Sequence, residues 1–149
     1  MADLKIRTCG ENGTIACGDE TVIAAGELSV VEAGRHCVIA AGTGARILAG
    51  EWSVISADTD ATILTGKFSV VSALYRASVH ALGGSIVTVG PDSKICLGKG
   101  STVAAQYFDG DGLREALAIA GDGGLLPDEW YQCRDGEFVL MPSYQLGGR

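Results

Sequence analysis

The sequence predicts an all-β fold: a two-sheet β-solenoid (β-roll or β-helix) with about 16 residues per coil, capped by a small C-terminal β-meander. The first observation is an eight-residue repeat that occurs twelve times, without insertion or deletion, from Gly13 to Phe108. It is easiest to see in VIAAGELS, VVEAGRHC, VIAAGTGA and RILAGEWS, which follow one another from Val22 to Ser53. The second is a segregation of charge that appears when two repeats form one coil. A fixed short period is the signature of a repeat architecture.

The repeat has the pattern of a short strand. We number each octad from 0 to 7, with position 0 at residue 13 and at every eighth residue to 101. Position 2 is Ile or Val in all twelve octads, position 0 is always small, and position 4 is mostly Ala. Side chains alternate across a strand, so positions 0, 2 and 4 are predicted to face inward and positions 1 and 3 outward. A helix does not fit, because eight residues advance it about 80° past two turns.

Glycine marks the corners of the predicted coil. Position 5 is Gly in eight octads, at Gly18, Gly26, Gly34, Gly42, Gly50, Gly66, Gly90 and Gly98. Glycine tolerates positive φ, so we expect the chain to turn at position 5 with this backbone conformation. Each octad then consists of a five-residue strand and a three-residue corner.

The segments outside the octads are predicted to be caps. Residues 1–12 form an N-terminal cap, since Lys5 to Asn12 is a degenerate octad with Arg7 in place of the branched residue. Residues 109–141 form the C-terminal cap, in which 113–120 has a helical composition without a convincing amphipathic period. Strands are predicted at 129–134 and 137–141, joined by an Asp135-Gly136 hairpin turn. Residues 142–149 are predicted to be a flexible tail.

The outward positions decide how many octads make one coil. With two octads per coil, the charged outward side chains all fall on one sheet, among them Glu32, Arg46 and Lys94. The opposite sheet carries no charge at its outward positions. With three octads per coil this separation is lost, which favours a coil of sixteen residues.

The charge-free sheet is the candidate oligomer interface. Its outward residues are Val22, Ala24, Val38, Ala40, Val54, Ser56, Val70, Ser72, Ile86 and Thr88, followed by Thr102 and Ala104. Six coils give it roughly 450 Å², which lies within the range of the largest patch on an ordinary monomer. Area alone therefore does not define a partner, but a flat apolar ladder favours a homo-oligomer. The alternative is that the C-terminal forty residues fold back over this sheet.

One edge of the coil carries aromatic residues. Position 7 of alternate octads holds His36, Trp52 and Phe68, which form a candidate binding edge for a ligand or protein. The alternative is that these side chains only cover the corner of a thin core.

The composition excludes several classes of function. The net charge of -7 disfavours nucleic-acid binding. No apolar run predicts a membrane span or a signal peptide, so we expect a cytoplasmic protein without membrane contact. The five cysteines have no metal-ligand spacing, and Asp109, Asp111 and Asp122 lack the pattern of an EF-hand loop. His36 and His80 have no legible nucleophile or carboxylate partner, so neither metal nor cofactor nor enzymatic activity is expected.

The C-terminal segment PDEWYQCRDGEFV, from Pro127 to Val139, carries a resemblance. It resembles the "P-D-x-W-Y-x-x-x-D-G-x-F-V" cap that closes the short repeats of bacterial and phage-encoded proteins of uncharacterised function. The octads are also similar in style to the β-roll heads of trimeric adhesins and to some ice-binding solenoids. These resemblances imply a solenoid without enzymatic activity. A phage or prophage origin would place the protein in the cytoplasm or on the virion.

Three functional hypotheses follow. The first is a scaffold or protein-interaction module that self-associates through the charge-free sheet. The second is an acidic inhibitor or decoy that binds a host or phage protein through its charged corners. The third is an ice or glycan binder, although the regular Thr ladder of ice-binding faces is replaced here by Val and Ala.

Overall fold

A computed structural model describes residues 5–121 and 123–141, which form two eight-stranded sheets and no helix. The strands are β1 (Lys5–Cys9), β2 (Thr14–Ala16), β3 (Thr21–Ala25), β4 (Val30–Glu32), β5 (Val38–Ala41), β6 (Arg46–Ala49), β7 (Val54–Ala57), β8 (Thr62–Thr65), β9 (Val70–Ala73), β10 (Ser78–Ala81), β11 (Ile86–Val89), β12 (Lys94–Leu97), β13 (Thr102–Phe108), β14 (Leu113–Ile119), β15 (Trp130–Arg134) and β16 (Glu137–Leu140). The predicted flexible tail, 142–149, and residues 1–4 and 122 lie outside the described residues.

Successive strands alternate between the two sheets. Sheet A contains the odd-numbered strands β1 to β13 and then β14, and sheet B contains the even-numbered strands β2 to β12 and then β15 and β16. Within sheet A, Val38 pairs with Val54 and Val54 with Val70, in parallel. Arg46 pairs with Thr62 in the same way in sheet B. The sixteen-residue coil and the two-sheet solenoid, of about six turns, are therefore confirmed.

The core is a thin layer between the sheets. All twelve position-2 residues are buried, from Ile15 through Val103. Position 0 from Thr21 onward and most of position 4 are buried beside them, which confirms the predicted inward face. Small residues on both sides of one branched residue let the two sheets approach closely, because interiors pack to high density.

The corner conformation differs from the expectation. Positive φ occurs at position 7 of every corner from residue 12 to residue 100, and none of the position-5 glycines has it. Nine of these twelve position-7 residues are not glycine; Trp52 and Phe68, for example, have φ of 61° and 58°. Most of their backbone N–H groups donate to the next coil: that of Trp52 bonds the Lys67 carbonyl at 3.0 Å and that of His36 the Glu51 carbonyl at 2.9 Å. This inter-coil bond offsets the cost of the left-handed conformation.

Glycine at position 5 has another cause, which is the close stacking of consecutive corners. A Cβ atom at Gly66 would lie 2.6 Å from the Glu51 amide nitrogen, and one at Gly50 would lie 2.9 Å from the Gly34 carbonyl carbon. Real Cβ atoms do not approach backbone this closely. A Cβ atom at Gly18 would meet none of the described residues within 4 Å. Glycine is thus favoured because the corner of the preceding coil occupies the space of a side chain.

A ladder of buried hydroxyl groups explains the small polar residues at position 0. In sheet A, the N–H of Ser53 donates to the Ser69 hydroxyl at 3.3 Å, that of Ser69 to Ser85 at 3.1 Å, and that of Ser85 to Ser101 at 3.0 Å. The Ser85 hydroxyl in turn donates to the Leu82 carbonyl at 2.8 Å. The ladder satisfies backbone groups that strand pairing leaves free at the corner.

The C-terminal strands extend both sheets. β14 pairs antiparallel with β13 at the end of sheet A, so 113–119 forms a strand, despite its helical composition. β15 pairs antiparallel with β12 in sheet B and forms the predicted hairpin with β16 around Asp135 and Gly136, with φ of 51° and 86°. The described part of the C terminus therefore lies at the sheet ends, and it does not cover the outward face of sheet A.

Candidate interaction surfaces

The outward side of sheet A, which we call the apolar face, has two columns of side chains. Because the strands pair in register one coil apart, equivalent residues form straight rows along the coil axis. The ridge column contains the position-1 residues Val22, Val38, Val54, Val70, Ile86 and Thr102. The trough column contains the small position-3 residues Ala24, Ala40, Ser56, Ser72, Thr88 and Ala104. From β3 to β13 neither column carries a charge.

The ridge column is open to solvent. Val38, Val54, Val70 and Ile86 are 43–55% exposed. The face continues onto β14, where Ile119 and Leu117 stand beside Thr102 and Ala104, and Leu117 is 76% exposed. Exposed branched residues in an unbroken row are unfavourable in water, so a partner surface that covers them gains free energy.

A hollow lies at the C-terminal end of the apolar face. Its volume is about 450 Å³. Its wall includes the outward side chains of Ile86, Thr88, Thr102, Ala104, Leu117 and Ile119. The hollow forms because the small β13 residues lie between larger side chains of β11 and β14. It can accept apolar side chains of a partner.

The outward side of sheet B is different. It mixes Glu32, Arg46 and Lys94 with Leu48 and Leu64, so its apolar residues lie among charges. Near its C-terminal end Trp130 packs edge-on against His80, with ring centroids 5.9 Å apart. The separation of charged and charge-free sides is thus a property of the folded molecule.

The three residues of the candidate binding edge form a continuous stack. His36 and Trp52 have ring centroids 6.4 Å apart at an interplanar angle of 2°, and Trp52 and Phe68 are 4.8 Å apart at 20°. The Phe68 ring then lies over Gly84, where a Cβ atom would be 2.6 Å from the ring. Position 7 causes this order, since its left-handed backbone directs each side chain toward the next coil.

This stack limits what the edge can bind. Neighbouring rings partly cover Trp52, and Phe68 lies between Trp52 and Gly84, although Trp52 and Phe68 are still 53% and 48% exposed. Stacking of a sugar ring on an aromatic side chain needs a free aromatic face. The geometry therefore favours a structural role, in which aromatic stacking stabilises the corner.

Ion pairs connect neighbouring coils at both edges. The Arg35 N–H donates to the Asp19 carboxylate at 2.8 Å, and this backbone bond is the main cause that lowers the pKa of Asp19. On the opposite edge Arg76 binds both oxygens of Asp60 at 2.9 and 3.1 Å, which lowers the pKa of Asp60. These pairs are exposed, so we assign them little stability.

Thiol reactivity and metal binding have little support among the described residues. Cys96 is an outward residue of β12 but is only 2% exposed, and burial, with Asp128 and Glu129 nearby, raises the pKa of its thiol to about 11. The thiol is therefore protonated at neutral pH and is a poor nucleophile. In residues 5–121 and 123–141, no group of three or more His, Cys, Asp or Glu side chains is placed to hold a metal ion.

These features define a β-solenoid with one charge-free and one charged side. None of the family models, curated proteins and solved structures compared with the chain matches it. In the described part of the chain there is also no helix with the length and apolarity to cross a membrane.

Sequence reasoning located the ten residues of the candidate interface and the three aromatic residues, and the structure brings each group together on one surface. It missed Leu117, Ile119 and the hollow. A signal was present, because Leu113, Glu115, Leu117 and Ile119 alternate with Arg114 and small residues. The helical composition of this segment obscured that two-residue period.

Proposed function

We propose that the protein is a non-enzymatic scaffold, or protein-interaction module, that self-associates through the apolar face. The observation that carries this proposal is the exposed row of Val38, Val54, Val70 and Ile86 on the outward side of sheet A, which carries no charge from β3 to β13. A second copy offers an equally apolar and uncharged surface. The pairing of identical faces about a two-fold axis closes the assembly and leaves both charged B sheets in water.

The size of the face agrees with a modest dimer. Eight strands about 4.8 Å apart and about 15 Å long give a face on the order of 550 Å². Two such faces bury about 1,100 Å², which is just above the lower limit for a specific interface. We therefore expect dissociation in the micromolar range, because small interfaces are at the weak end of specific association.

The experiment compares two double variants of the full chain by light scattering coupled to size-exclusion chromatography. Val54→Glu with Val70→Glu puts two charges on the apolar face, and burying unpaired charge is costly, so we expect a monomer. Leu48→Glu with Leu64→Glu makes the same change at exposed leucines of sheet B. This control is expected to keep the mass of the wild-type dimer.

Circular dichroism separates loss of association from loss of folding. If the charged variant does not fold, Val54→Thr with Val70→Thr retains the branched shape and is expected to weaken the dimer. A folded apolar-face variant with the same mass and concentration dependence as the wild type would contradict the proposal.

A further inference from the structure

The relief of the apolar face determines how two copies fit together, and this inference rests on the proposed self-association. The ridge and trough columns lie two residues apart on each strand, about 6.6 Å. Both run parallel to the coil axis, because every pair from β3 to β13 is in register. The face is therefore a continuous ridge beside a continuous trough.

Two simple two-fold arrangements bring such faces together over their full length. An axis parallel to the strands makes the coil axes antiparallel and places ridge on ridge and trough on trough. An axis parallel to the coil axis makes the coil axes parallel and places each ridge in the trough of the other copy. An oblique axis makes the ridges cross, so that they touch at a few points only.

Packing density selects between these arrangements. When ridge meets ridge, the Ala and Ser side chains of the two troughs face each other across an unfilled channel. When ridge meets trough, the branched side chains fill the space above the small ones. Well-packed interfaces reach the density of protein interiors, so the second arrangement is favoured. We infer that two copies pair with parallel coil axes, about a two-fold axis that runs along the solenoid.

The C-terminal end departs from this relief, because Leu117 of β14 lies in the trough column. There Leu117 of one copy meets Ile119 of the second copy at the same level, which brings large side chains together. The adjacent level has Thr102 facing Ala104, both small, and it contains the hollow of about 450 Å³. The large β14 side chains of each copy can therefore lean into the hollow of the other.

The arrangement has a consequence for the scaffold. Both N-terminal coils lie at one end of the dimer and both C-terminal hairpins at the other. The two charged B sheets face away from each other, and the two aromatic edges occupy diagonally opposite corners. Each surface of the chain therefore occurs twice in the dimer, and its two copies run in the same direction along the coil axis.

Thiol cross-linking tests the arrangement. In a Cys9→Ser, Cys17→Ser background, which removes the two cysteines that are not fully buried, Val54→Cys and Ser56→Cys are made as separate proteins. In the parallel dimer Val54 of one copy faces Ser56 of the other across sheets about 10 Å apart, which is longer than the Cα separation of about 7 Å that a disulfide spans. A short bismaleimide that bridges two thiols over about that sheet spacing is therefore used. The equimolar mixture is expected to cross-link about tenfold faster than either protein alone.

Two further mixtures sharpen the result. Val54→Cys with Ala24→Cys, two coils away, is the control and is expected to stay uncross-linked. Val54→Cys with Val70→Cys is the pair that faces in a fully overlapped antiparallel dimer, because β7 and β9 are the two central strands of sheet A, so its preferential cross-linking would overturn the inference. A dimeric mass with no preference for the Val54/Ser56 pair would also overturn it, while leaving self-association intact. A monomeric wild-type chain would instead remove the proposed function itself, and with it this arrangement.

Discussion

At the scale of single residues, the backbone conformation is most restricted at the corners. Position 7 has positive φ in every coil, yet six of its residues are Glu, Leu, His, Trp, Phe and Arg, which have no special preference for that conformation. The inter-coil N–H bond, such as that from Trp52 to Lys67, holds them there. A single sequence does not reveal this conformation, because the position-7 residues with positive φ share no side-chain type. Positive φ is instead expected at the glycines of position 5.

The position-5 glycines allow a test of corner stacking. Gly66→Ala puts a methyl group against the backbone of Gly50 and Glu51, and we expect a loss of about 1–3 kcal/mol in the free energy of unfolding. Position 5 also holds Asp58 and Leu74, so a corner can widen, and folding should survive. Gly18→Ala is the matched control, since its Cβ would meet none of the described residues within 4 Å. Urea unfolding measures both; equal stability of the two variants would contradict the stacking explanation.

At the scale of elements, the hydroxyl ladder joins the coils of sheet A from within. Ser85→Ala leaves the buried N–H of Ser69 without its acceptor, and an unsatisfied buried donor costs about 1–3 kcal/mol. Ser56→Ala removes a hydroxyl from the exposed face and is expected to change stability little. Thermal unfolding, at a protein concentration where both variants have the same oligomeric state, compares the two. A melting temperature equally unchanged in both would show that the ladder is dispensable.

The aromatic stack is the second element that joins coils. Trp52→Ala removes contacts to both His36 and Phe68 and is expected to cost about 1–2 kcal/mol, whereas Trp52→Phe keeps a ring in the stack and costs less. Neither change should alter the mass of the dimer, because the stack lies on the edge and not on the apolar face. A Trp52→Ala protein with wild-type stability would argue against a structural role for the stack and would leave the edge as a candidate binding surface.

Most of the repeat array was predictable from the sequence, and the ends were not. An invariant branched residue at position 2, as at Ile39 and Ile55, identifies the inward face, since strand geometry leaves only one way to bury it. Asp135-Gly136 identifies a hairpin for an equally local reason. The partners of β14 and β15 are set by which open sheet end each strand reaches. That choice depends on tertiary structure, so the segment 113–119 could not be placed from its composition.

At the scale of the whole molecule, the distribution of charge is the property on which the proposed function depends. The full sequence has a net charge of -7. Among the described residues, the apolar face of sheet A carries no charge between β3 and β13. An acidic surface favours solubility, and an uncharged face favours association with another apolar surface, so we propose self-association through this face.

The mass of the native wild-type chain across a concentration series tests that claim most directly. Sedimentation equilibrium or light scattering is expected to show a reversible monomer–dimer equilibrium, in which the average mass rises through the micromolar range and approaches that of two chains well above it. The mass of a single chain throughout that range would contradict self-association through the apolar face.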